Sequence, residues 1–345
     1  MIDTEEEIED ESEDIDVPAF EGGDWSIQTI WNDVLSLADE RETKPRQHIW
    51  ASEVGKNHFE RWLKMKGVKP DLQFPKRILR KFAAGDFYER LMGYILVVSG
   101  ILKEDNTRYE IPATEKTLMV SCKPDFIAGG IPDWSKVQKD LEENPMWHFF
   151  PKLKLIAEKL VAQLVEKYPD GLSDLVYEIK SVNSQLFWSK KDYLLEAYPH
   201  HVMQLHTEMK ASKLPEGRLL YVSKDDLTIL EFPLMYDNPE REKLWQDDVE
   251  KMSHYILNDI TPPKPDEIVF DKRKSISFQH KKLKYKVKGC YTYNWEIERS
   301  MYFPTITEGK FESVKDWMNS LKPALKEKND ALKEEYKVAN NLVEK

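Results

Sequence analysis

The 345-residue sequence predicts an α/β protein, and three observations carry that reading. Short apolar runs rich in β-formers alternate with longer stretches of helical spacing. The chain is long enough to bury one large core. The run from Asp174 to Ser181, after the turn residues Pro169, Asp170 and Gly171, reads as a buried strand. Side chains two apart on a strand share a face, so Glu178 and Lys180 stand side by side while Tyr177 and Ile179 face away. Such a pair is either a surface ion pair or the working part of a site, because burying charge without a use is costly.

Composition narrows the class. Two cysteines, Cys122 and Cys290, exclude a disulfide framework and a four-thiolate metal site. No stretch is long and apolar enough to span a bilayer, and the acidic start is unlike a transit peptide. The expectation is a soluble, cytoplasmic protein with no membrane partner. Residues 1–24 hold twelve Asp or Glu and no Lys or Arg. Removing these twelve from the net charge of −11 leaves +1 for residues 25–345, so an acidic tail precedes a nearly neutral body. Such a tail cannot bury enough apolar surface to fold alone. It is expected either to compete for basic surface on the body or to dock a partner.

The elements follow in order. Trp25 to Leu37 has the apolar spacing of an amphipathic helix. Within Arg46 to Gly67 a second helix is expected, with Ser52 as N-cap and Gly67 as stop. Pro75 opens a longer helix to Val98, ended by Ser99 and Gly100. Glu89 lies on its apolar stripe with Phe82, Gly85, Met92, Gly93 and Leu96, and is either a site residue or a carboxylate snorkelling to the stripe's edge. Arg108–Ile111 and Leu118–Ile127 read as a β pair with Asp125 at the end of the second strand; Pro124 makes that strand irregular. Residues 129–172 read as an insertion, helical from about Leu153 to Tyr168. After the Glu178 strand, Leu186 to Lys191 interleaves aromatics and lysines. Trp188, Lys190 and Lys191 either stack on a base and meet a phosphate or pack as a loop. Pro199 starts a helix carrying Gln204 and Glu208; strands at Arg218–Val222 and Thr228–Phe232 and a helix from Glu240 to Leu257 complete this part. Residues 261–265 read as a linker. Lys272 to Lys288 holds eight Lys or Arg. A strand with one lysine-covered face, including Lys282, Lys284 and Lys286, either follows a phosphate backbone or guards a sheet edge. Residues 312–343 read as one or two charged helices.

The order of Glu89 on a helix, Lys123-Pro124-Asp125 on a strand, Glu178-Ile179-Lys180 on the next and Gln204 on a following helix resembles the PD-(D/E)XK nuclease superfamily. The nearest resemblance is to its RecB and Cas4-like exonuclease branch, found also in phages. Ile49 to Gly55 and Arg61 to Val68 also resemble the start of that branch, and the likeness covers roughly residues 46–235. It implies a restriction-endonuclease-like core, a mixed central sheet flanked by helices, over residues 25–260. Residues 261–345 would form a basic β segment and charged helices.

By the same resemblance Glu89, Asp125, Glu178 and the Ile179 carbonyl are metal ligands, Lys180 is the catalytic lysine, and Gln204 supports the site. Asn57 stands where iron–sulfur members carry cysteine, so no iron–sulfur cluster is expected and Mg²⁺ or Mn²⁺ would be the cofactor. Glu89 replaces a common histidine, and Glu208 replaces a common tyrosine. The implied activity is metal-dependent DNA hydrolysis, exonucleolytic, in phage or bacterial replication, recombination or repair. A structure-specific endonuclease and a non-catalytic DNA-binding module are the alternatives. DNA is the expected partner, and a replication or recombination protein is a candidate for the acidic tail. Beside a bound metal the pKa of Lys180 is expected to fall, since like charges disfavour its protonation.

Overall fold

A computed structural model describes residues 43–72, 76–182, 197–340 and 342. The acidic tail, the expected helix over 25–37, and Trp188, Lys190 and Lys191 lie outside the described residues. In chain order the strands are β1 His48–Trp50, β2 Leu102–Asp105, β3 Tyr109–Ile111, β4 Met119–Cys122, β5 Phe126–Gly130, β6 Leu172–Val182, β7 Glu216–Ser223, β8 Ile229–Met235, β9 Ile268–His280 and β10 Leu283–Tyr293. The helices are α1 His58–Met65, α2 Lys76–Val98, α3 Trp134–Glu143, α4 Pro151–Lys167, α5 Pro199–Ser212, α6 Pro239–Leu257, α7 Trp295–Glu298, α8 Phe303–Thr307 and α9 Val314–Ala339.

The protein is α/β. A five-stranded mixed sheet runs β2-β5-β6-β7-β8, with β6 antiparallel to β5 and parallel to β7. A parallel neighbour needs a crossover, and α5 lies within it. Its Leu205 and Met209 pack on one face of the sheet against Val176, Leu219 and Tyr221. On the other face Met92 and Leu96 of α2 and Leu164 of α4 cover Phe126, Ile179 and Val222. Burial on both faces explains the near-continuous apolar reading of β6 and β7. Gly93 lets α2 approach this closely, since a Cβ there would lie 2.4 Å from the Phe126 ring. A second sheet, β1-β4-β3, shares a core with α5 and α6 through Ile49, Val120, Met203 and Trp245.

Several expectations change. The helix expected after Ser52 starts later: β1 pairs with β4, Ala51–Glu53 forms a 3₁₀ turn, and α1 begins after Asn57. Asn57, not Ser52, caps it, its side chain accepting from the N–H groups of Phe59 and Glu60. Gly67 follows at φ +71°, where a glycine is favoured. Phe82, expected on the buried stripe of α2, is 47 % exposed. Leu118–Ile127 divides at Lys123–Asp125 into β4 and β5, which belong to different sheets. The insertion holds α3 as well as α4, with Asp133 capping α3. The basic run is a hairpin, β9 against β10, packed on α9. Lys281 and Lys282 form its two-residue turn, both at positive φ. Beyond residue 261 the chain shares a core with α1, where Phe59 and Leu63 meet Ile297, Tyr302, Phe303 and Trp317. No described helix is long and apolar enough to cross a membrane.

Candidate active site

The site forms where β5 stops and β6 continues. Phe126 pairs with Tyr177, and Pro124 ends the ladder there, so the Ile179 N–H has no strand partner on that side. A buried N–H needs an acceptor, and Asp125 Oδ2 accepts from it at 2.6 Å. Asp125 therefore sits across from Glu178. The N–H and C=O of one strand residue point the same way, so the Ile179 carbonyl also faces the Asp125 side.

Glu178 is buried, its side chain 1 % exposed, and Lys180 pairs with its Oε1 from the same strand face. On α5, Gln204 donates from Nε2 to Glu178 Oε1 at 2.7 Å and to Glu208 Oε1 at 3.1 Å. Glu178 Oε2 and Glu208 Oε2 are buried without a hydrogen-bond partner among the described residues. Glu208 is the residue whose importance the sequence conceals. Four residues after Gln204, it lies on the same helix face, and that spacing is the signal that places it in the site.

Three carboxyls shift upward here. Burial pushes Asp125 well above the usual carboxylate range, with Glu178 and then Glu89 adding to the shift against Lys180. Burial does the same to Glu208, reinforced by Glu178 and Asp125. Glu89 is raised mainly by burial, with the charge of Glu178 contributing. Burial alone would lower the Lys180 pKa, but Glu178 and Asp125 hold it above the usual lysine range. The expected fall is thus opposed by the carboxylates that surround it.

Glu89 comes from the α2 face of the sheet. Gly85, one turn earlier, passes close to Ser181 of β6. Glu89 reaches electrostatic range of Asp125 and Glu178 at the strand ends. No group of three or more His, Cys, Asp or Glu among the described residues gathers closely enough to hold a metal ion. The donor chemistry nevertheless fits a hard divalent cation: oxygen ligands only, an unpartnered buried carboxylate oxygen on Glu178, and mutually repelling carboxyls. Lys284 and Lys286 are exposed on one face of β10 opposite Gln279 and Ser277, whereas Lys282 is in the turn. The hairpin packs against α9. Cys122 and Cys290 are buried and form no disulfide.

No family model matches the sequence, and no curated protein matches it. A solved structure described as "Crystal structure of SSO0001" superposes with a TM-score of 0.41 at 12 % identity, covering 70 % of this chain and 90 % of that one. A likeness at that level fixes neither a fold family nor an activity.

Proposed function

We propose that the chain is a metal-dependent deoxyribonuclease of the PD-(D/E)XK type, hydrolysing phosphodiester bonds at Asp125, Glu178 and Lys180. The observation that carries this reading is the buried Glu178 carboxylate, held at Oε1 by Lys180 and Gln204 with Oε2 unpartnered, directly across from Asp125. A fully buried, half-satisfied carboxylate is expensive as structure alone. It suits a ligand waiting for a cation.

Asp125, Glu178 and the Ile179 carbonyl would hold Mg²⁺ or Mn²⁺, with Glu89 approaching from α2. Such an ion supplies an acidified water and relieves charge on the phosphate. Gln204 fixes the Glu178 carboxylate by donating to its Oε1, and Oε2, which has no hydrogen-bond partner among the described residues, would be available to a cation. Lys180, paired with Glu178 on the same strand face, would orient the attacking water and stabilise the charge that develops on it. The Asp125 bond to the Ile179 N–H fixes the other carboxylate on a rigid strand end. DNA is the substrate we favour, processed in the cytoplasm in replication, recombination or repair. End-labelled linear and closed circular DNA incubated with Mg²⁺ tests the reading. Mononucleotides from linear DNA alone mark an exonuclease, and nicked circles mark the endonuclease alternative. Intact DNA of both forms would sink catalysis and leave the binding-module reading.

The exposed lysines of β10 carry a separate expectation. Replacing Lys282, Lys284 and Lys286 with Gln lowers DNA affinity across sequences and flattens the log–log salt slope by about two to three. An unchanged slope assigns them to guarding the hairpin edge.

A further inference from the structure

A cavity of about 330 Å³ opens between α1, the first turn of α5 and α7. That volume is at the lower end of small-ligand pockets. Its charges are unevenly satisfied. Glu53 is held by Arg46 at 2.5 and 2.6 Å. Glu60 takes Lys64 at 2.6 Å and the Ser300 hydroxyl at 2.6 Å. Glu296 accepts from the Asn57 N–H at 3.1 Å, and Arg61 is engaged by Asp248 at 2.8 Å. Two cations remain: Lys56 and Arg299 line the cavity and form no ion pair among the described residues. Lys56 is half-buried; burial, then the charges of Lys64 and Lys180, lower its pKa and outweigh the opposing charges of Glu53 and Glu60, so an anion beside it would be favoured.

One wall is aromatic. Trp295 is 40 % exposed, and its ring lies 5.6 Å from that of His200. Trp295 and Arg299 are four residues apart, so a flat ring and a guanidinium frame one side. The cavity also neighbours the carboxylate site. His200 and Gln204 lie one turn apart on the same face of α5, and Lys56 is within electrostatic reach of Lys180. One helical turn, about 5.4 Å, is comparable with one step along a sugar–phosphate chain.

We propose that this cavity binds a nucleotide, with its base on Trp295 and its phosphate between Lys56 and Arg299. On the nuclease reading, on which its placement rests, that nucleotide flanks the scissile phosphodiester. Stacking gives a sequence-tolerant hold, and the two cations give a phosphate register, as a processing enzyme needs. A base alone would lack the charge, and phosphate alone would lack the ring.

The test separates the two readings. Thymidine 5′-monophosphate and inorganic phosphate are each titrated into the full chain by calorimetry, without metal. In parallel, cleavage of an end-labelled oligonucleotide is followed with Mg²⁺. Trp295→Ala is expected to weaken thymidylate binding roughly tenfold and leave phosphate binding unchanged. Lys56→Gln weakens both, and Lys56→Arg retains both, which distinguishes lost charge from lost fold. In cleavage, Lys56→Gln and Trp295→Ala raise KM by a similar factor with kcat within about twofold. Thymidylate that fails to bind, or binds equally to wild type and both variants, overturns the proposal even if Asp125→Asn has lost cleavage. A chain that cuts no DNA yet binds thymidylate through Lys56 and Trp295 sinks the nuclease reading and keeps the nucleotide site.

Discussion

Lys180→Ala is expected to lower DNA cleavage by a factor of about 10²–10³ while leaving the fold and most DNA binding in place. On the proposed function the lysine orients the attacking water from the strand face it shares with Glu178. The same substitution has a second consequence that does not depend on catalysis. Lys180 neutralises Glu178, whose side chain is 1 % exposed, so its removal leaves two facing carboxylates with only amide donors. The variant should therefore melt below the wild type in chelator, and Mg²⁺ should raise its melting temperature more than it raises that of the wild type, by mass action on the folded state. Asp125→Asn should abolish cleavage and also erase the Mg²⁺-dependent shift. A folded Lys180→Ala protein that cuts at the wild-type rate would falsify the assignment of the lysine, and an Mg²⁺ shift retained in Asp125→Asn would remove Asp125 from the ligands.

Asp248→Ala is expected to cost about 3–5 kcal/mol of stability at neutral pH. Asp248 on α6 receives Arg61 at 2.8 and 2.9 Å, His58 at 3.1 Å and the Gly55 N–H at 3.2 Å. Arg61 is 2 % exposed, so truncating the aspartate strands a buried guanidinium. Burial alone would raise the Asp248 pKa, but the hydrogen bond from His58 and the charge of Arg61 hold it below the usual range. The sign follows from that direction. A depressed folded pKa contributes stability above the unfolded value, near 3.9, and that contribution disappears as pH falls through the folded value. Urea denaturation at pH 7 and below pH 4 should show a large gap between wild type and variant, then a shrinking one. Adding Arg61→Met to Asp248→Ala should recover much of the loss, because a buried pair replaced by apolar groups is often neutral. A gap that stays constant into acid, or a double variant no better than the single, would show that the loss does not come from stranding a buried charge.

Much of this architecture was legible from periodicity. α2 and α6 lie within a residue of the expected limits, and α5 starts at the expected Pro199, because each has a proline start or a glycine end that acts locally. The Glu178–Lys180 pairing was readable for a similar reason, since strand alternation alone puts them on one face. What escaped was decided by distant partners. Ile49 and Trp50 are β-formers, but the run is too short to mark a strand against the helical spacing that follows; it becomes one by pairing with β4, as Ile49 with Val120. Asn57 with Glu60 three residues later was a readable cap signal, but it competed with Ser52. The hairpin turn at Lys281–Lys282 places two lysines at positive φ, where asparagine and glycine usually announce the reversal. Glu208 was visible as a departure from a tyrosine, yet its full burial within electrostatic reach of Glu178 and Asp125 could not be read from spacing alone.

Pro124 and Asp125 span the corner where the chain leaves the β1-β4-β3 sheet and enters the five-stranded one. Asp125 is thus the pin of a joint between two plates, one anchored on α6 and the other on α2. A pin registers any change in the angle of the plates. Loosening the far plate, by Val120→Ala or Ile49→Ala, would swing Asp125 relative to Glu178 without touching either. Such changes should appear first as weaker cation affinity and a wider ion preference, and only later as lost fold.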